Sequence, residues 1–140
     1  MTQTTYRAVS TVNPALDLIF RSIATITAGL ILVQAFMAGQ MLFHGNAGII
    51  VTHGWLGNIA FLGTLALVAV AFVGMRQGWG VAPLVLSVVL AALMVAQLGL
   101  GYAGRKSAFT ASLHIPNGVL LTGVVFALIA LAVVRPRLAR

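Results

Sequence analysis

Two histidines, His53 and His114, lie inside otherwise apolar stretches of this 140-residue chain, and each sits in the same short setting. Gln34 precedes His53 by 19 residues with Gly39 between them, and Gln97 precedes His114 by 17 residues with Gly99 and Gly101 between them. Each histidine is followed four residues later by glycine, in His53-Gly54-Trp55-Leu56-Gly57 and His114-Ile115-Pro116-Asn117-Gly118. A glycine and a threonine follow again in both copies, as Gly63-Thr64 and Thr122-Gly123. The order glutamine, glycine, loop, His-x-x-x-Gly therefore occurs twice. Two helical hairpins entering a membrane in the same sense are related by an approximate two-fold axis along its normal. Both histidines then lie at matching depth, about one turn inside the second and fourth helices. On diagonal helices of a four-helix bundle their imidazoles face each other across the centre, as in a bis-histidine haem.

Imidazole nitrogen is a good axial ligand for haem iron. A zinc ion would want a third or fourth ligand, and the chain has no cysteine and a single acidic residue, Asp17. Without cysteine there is also no disulfide, thiolate nucleophile or thioether-linked haem. Gly57 and Gly118 share a helix face with their histidines, where a larger side chain would collide with a flat macrocycle. Arg105 and Lys106 are placed to pair with haem propionates or with lipid headgroups. Gln34 and Gln97 are candidates for cofactor contacts or for interhelical hydrogen bonds, and the histidines themselves have the same competing reading as polar glue between helices. A chlorophyll-like pigment is the other tetrapyrrole a histidine can hold, through magnesium. His44 has no counterpart in the repeat and reads as a solvated turn residue.

Those residues need membrane helices to position them. Apolar residues make up 61% of the chain and charged residues 6%, where a soluble domain carries about 25% charge. At roughly 20 apolar residues per crossing the chain has room for four spans and no soluble catalytic domain. The apolar runs predict helices over about 14–43, 49–73, 81–102 and 110–134, after a polar tail at 1–13 and before a basic tail at 135–140. Asn13 and Pro14 form a helix start, and Asp17 and Arg21 pair four residues apart. Pro116 is read as lying in the first turn of the last helix, and Pro136 as its stop. The expected architecture is an all-α integral membrane four-helix bundle built from two tandem helical hairpins.

The formal charge of +7 is spread between apolar runs rather than gathered into a polar stripe, so it reads as topology and not as a nucleic-acid surface. Arg7, Arg21, Arg76, Arg135, Arg137 and Arg140 fall on one side, and Arg105 and Lys106 on the other. The positive-inside tendency puts both termini in the cytoplasm of a bacterial-type inner membrane. Trp55, Trp79 and Tyr102 read as interfacial anchors. No cleavable secretory signal is expected.

Over about residues 25–134 the chain resembles small four-helix membrane haem proteins, in particular one half of a haem A synthase, and more loosely the membrane b-type cytochromes. The likeness rests on Gln34 with Met37-Ala38-Gly39, on His53 to Gly57, on Gln97-Leu98-Gly99 and on His114 to Gly118. It also looks like a group of bacterial four-helix membrane proteins rich in alanine and glycine. The resemblance implies haem between the second and fourth helices with His53 and His114 as ligands. Haem A synthase joins two such units and carries a glutamate near a histidine in its catalytic half, whereas this chain supplies one unit and no glutamate.

Six-coordinate iron leaves no open position, so the expected role is a b-type cytochrome or haem-binding subunit that passes single electrons near the outer face. Such a subunit needs the lipid bilayer and a protein partner, in a larger oxidoreductase or quinol system or as a homo-oligomer. The alternatives are an accessory subunit of a respiratory or photosynthetic complex without its own cofactor, and a carrier of haem or another small molecule. A secondary transporter is disfavoured by the lack of acidic intramembrane residues.

Overall fold

A computed structural model describes residues 13–138, with side chains described through 134. The chain is an all-α four-helix bundle of α1 (Pro14–His44), α2 (Ala47–Arg76), α3 (Ala82–Gly104) and α4 (Ala108–Leu138). All four are long and apolar enough to cross a bilayer, and many large apolar side chains point outward, as a multi-pass membrane protein requires. Of the expected tails at 1–13 and 135–140, residues 1–12 with Arg7, residues 139–140 with Arg140, and the side chains of Arg135 and Arg137 lie outside what is described.

Local chemistry explains the helix ends. Asn13 accepts hydrogen bonds from the backbone of Ala15 and Leu16, and Pro14 occupies the first turn of α1. Gly45 ends α1 at φ +54°, a conformation glycine adopts without strain, and the next residue, Asn46, already caps α2. The turn predicted over 44–48 is thus two residues long. Ser107 accepts from the backbone of Thr110 at the start of α4.

Two proline expectations are corrected. Pro116 is the ninth residue of α4, so it lies in the helix interior and leaves the carbonyl of Ser112 without its usual helical donor. The backbone also stays helical past Pro136 to Leu138, since proline's own φ suits a helix and it removes only one bond.

Each helix packs on two neighbours in the cyclic order α1, α2, α3, α4, which leaves α1 opposite α3 and α2 opposite α4. The tandem-hairpin symmetry is visible in the core. Phe20, Ala24, Thr27 and Ile31 of α1 are buried, and so are Pro83, Ser87, Leu90 and Met94, each 63 residues further on. Ala60, Thr64, Leu67 and Ala71 of α2 are matched at an offset of 61 by Leu121, Val125, Leu128 and Ala132 of α4. The buried hydroxyls of Thr64 and Ser87 are satisfied within their own helices, on the carbonyls of Phe61 and Pro83.

Among the described residues, these well-packed layers end at Ile31, Ala60, Met94 and Leu121. At the other extremity, Trp79 is only 6% exposed and closes the bundle, edge-on to Phe20 and laid over Gly74. Its expected role as an interfacial anchor is therefore corrected: without a side chain at Gly74 the indole turns inward. Trp55 and Tyr102 do face outward. Beside this closed end, Arg21 and Asp17 form the expected ion pair, Nε to Oδ2 2.6 Å.

Candidate functional site: a histidine pair between diagonal helices

One turn beyond the last buried layer, the interior positions become Gln34, Gly57, Gln97 and Gly118, which obey the same two offsets. The following turn presents His53 from α2 and His114 from α4, with Ala38 and Gly101 at the corresponding positions of α1 and α3. Each histidine is the seventh residue of its helix. Because α2 and α4 are diagonal, the two rings meet across the bundle, with centroids 6.2 Å apart and planes inclined by 56°. Both side chains are half-buried.

The hydrogen bonds around His114 fix their own directions. Asn117 donates through Nδ2 to the carbonyl of Leu93 at 2.9 Å, and a carbonyl can only accept, so the orientation of this amide is set. The same Nδ2 donates to Oε1 of Gln97 at 2.6 Å, which turns the Gln97 amide nitrogen toward His114. That nitrogen lies 3.0 Å from Nε2 of His114, while Nδ1 of the same ring lies 3.1 Å from the main-chain carbonyl of Gln97. The carbonyl requires the proton on Nδ1, so the ring is the Nδ1–H tautomer and Nε2 accepts from the glutamine amide.

The partner site is built differently. Gln34 donates through Nε2 to the main-chain carbonyl of His53 at 2.6 Å, not to its ring. The His53 ring faces the backbone of Gln34, but Nδ1 is buried without a partner in hydrogen-bond geometry.

Gly57 and Gly118 were expected to clear space for a macrocycle. Their neighbours in the structure include the glutamine amides: an added Cβ would lie 3.3 Å from Nε2 of Gln34 at Gly57, and 3.2 Å from Nε2 of Gln97 at Gly118. The glycines matter here because a polar side chain crosses from the adjacent helix at that level. A Cβ on Gly101 would likewise press on Cε1 of His114, at 3.1 Å.

His53, His114, Gln34, Gln97, Gly57 and Gly118 thus come together at one end of the bundle. Arg105 and Lys106 are exposed in the α3–α4 connection at that end, with the Arg105 guanidinium 5.1 Å from the centre of the Tyr102 ring. His44 is exposed at the end of α1. Asn117 had no role assigned from sequence. Asn117 had a usable signal, an amide three residues from a histidine in an apolar helix, where it must find a partner.

Two imidazoles sharing one ion through bonds of about 2 Å have ring centres about 6 Å apart. The donor set and the diagonal spacing fit a two-histidine tetrapyrrole, in which the macrocycle supplies the remaining ligands. No group of three or more histidine, cysteine or acidic side chains able to hold a bare metal ion occurs among the described residues. No protein-family model, curated protein or solved structure matches the chain.

Proposed function

We propose that this protein is a membrane b-type cytochrome or haem-binding subunit, with His53 and His114 as the axial ligands of a single haem. The observation that carries the reading is the 6.2 Å pairing of two imidazoles from diagonal helices. The layer of Gln34, Gly57, Gln97 and Gly118 beneath them repeats the same residue types under each histidine. When bound, haem iron supplies reversible one-electron chemistry, and two histidines leave it no open coordination position. The chain's own residues hold the rings, fix the His114 proton on Nδ1, and keep the apolar half of the bundle closed below the site. Arg105 and Lys106, nine and eight residues before His114 and at the same end of the bundle, are the cations that would meet propionates. The positive-inside distribution of basic residues supports an orientation with the histidine end at the outer face of a bacterial-type inner membrane and both termini cytoplasmic. The electron partner is then a larger membrane oxidoreductase or a quinol system.

A specific observation also favours a second reading. The bonds among Asn117, Gln97 and His114 satisfy polar groups between α3 and α4, as a cofactor-free accessory bundle would require. The two readings separate in a reduced-minus-oxidised spectrum of the detergent-purified protein, with pyridine haemochrome quantitation. The cytochrome reading expects a low-spin b-type spectrum near one haem per chain, lost in His53→Ala and in His114→Ala and kept in His44→Ala. A colourless protein that takes up no added haem supports the accessory bundle, and an unchanged spectrum in both of the first two variants refutes His53 and His114 as the ligands.

A further inference from the structure

The two halves of the repeat treat their histidines unequally, and the inequality lies at the atoms that would bond a metal. On the α3–α4 side, both ring nitrogens of His114 are engaged by one residue, Gln97. Its main-chain carbonyl accepts a hydrogen bond from Nδ1–H, and its side-chain amide, steered by Asn117, donates to Nε2. The Nε2 lone pair is the ligating pair, so the amide and an incoming metal compete for the same electrons. On the α1–α2 side, Gln34 spends its amide on the main chain of His53 and leaves that ring uncapped. Gly118 is what admits the Gln97 amide to this position, with an added Cβ at 3.2 Å from its nitrogen.

We propose that Gln97 is a positioning residue and displaceable cap for His114: its carbonyl presets the Nδ1–H tautomer, and its amide masks Nε2 until iron displaces it. His53 therefore bonds iron first, and His114 is the exchangeable ligand. The idea rests on the haem reading above. No bond other than hydrogen bonds and the coordinate bond to iron changes: the Gln97 amide leaves Nε2, Nε2 bonds the metal, and the proton stays on Nδ1. A carbonyl behind the distal ring nitrogen is the usual way a protein orients a ligating histidine. The side-chain cap in front of the ligating nitrogen is the addition.

The test begins with the apo protein in lipid nanodiscs, by nitrogen NMR of histidine-labelled chain. The expected His114 signal is the Nδ1–H tautomer with a hydrogen-bonded Nε2. A Nε2–H tautomer overturns the proposal without any variant being made. The second measurement is displacement of His114 by carbon monoxide in the ferrous haem-loaded protein. In the wild type the released Nε2 is recaptured by Gln97, so Gln97→Leu is expected to favour return to iron and weaken carbon monoxide binding about fivefold, the effect of one neutral hydrogen bond. Haem-loaded wild type with unchanged carbon monoxide affinity in Gln97→Leu overturns the cap and leaves the haem reading standing. A wild-type chain that takes up no haem overturns that reading, and the cap's role with it.

Discussion

Replacing Asn117 by leucine tests whether the polar layer is one connected unit. The Asn117 amide contacts two acceptors, the carbonyl of Leu93 and Oε1 of Gln97. Leu93 lies within α3 and its carbonyl still accepts the helical N–H of Gln97, so it loses only a second partner. Oε1 of Gln97 loses the donor that orients it. Leaving such a group unsatisfied costs about 1–3 kcal/mol, and polar contacts between membrane helices average about 0.6 kcal/mol in double-mutant cycles. Asn117→Leu alone is therefore expected to destabilise the bundle by about 1–2 kcal/mol. With Gln97→Leu already present there is no amide to strand, and the same change should cost little. The coupling energy is about 1 kcal/mol, with Asn117 making the Gln97 contact more stable. Reversible denaturant unfolding of the two single variants, the double variant and the wild type in lipid bicelles measures it. Equal costs of Asn117→Leu in both backgrounds, within about 0.3 kcal/mol, would refute a connected network.

At the opposite end, Gly74→Ala drives a methyl into the buried Trp79 ring and should destabilise by about 1–3 kcal/mol, with a red-shifted indole emission in a Trp55→Phe background. Unchanged emission and midpoint would show that Trp79 is not the plug described. On the proposed haem reading, changing Arg105 and Lys106 together to glutamine lowers the haem midpoint potential or occupancy, because two cations are withdrawn from near the propionates. Potentiometric titration that finds both unchanged returns these residues to lipid-headgroup contact.

Much of this organisation is written in residue order. The apolar runs demand membrane helices, because a backbone inside lipid must satisfy its own hydrogen bonds. Their caps, Asn13 before Pro14 and Gly45 before Asn46, are local chemistry and are readable without tertiary structure. The repeat, too, is legible, since a two-fold architecture stamps the same spacing on each hairpin; its offsets of 63 and 61 differ only because the first hairpin has a longer path between glutamine and histidine. The depth of His53 and His114 follows from that spacing.

Spacing could not say which helices are neighbours. The placement of α2 opposite α4, and with it the 6.2 Å between the rings, depends on how four helices close into a ring, which is decided by packing across all of them at once. The same holds for Trp79, whose inward turn depends on the missing side chain at Gly74, and for Pro116, whose position in the helix depends on where α4 begins. Sequence marks Gln34 and Gln97 as equivalent. Only the folded bundle separates them, because one amide reaches a main-chain carbonyl and the other, held by Asn117, reaches a ring nitrogen; the trace in residue type is Asn117 itself, where the first copy has Leu56, and the sequence does not say which amide that asparagine meets.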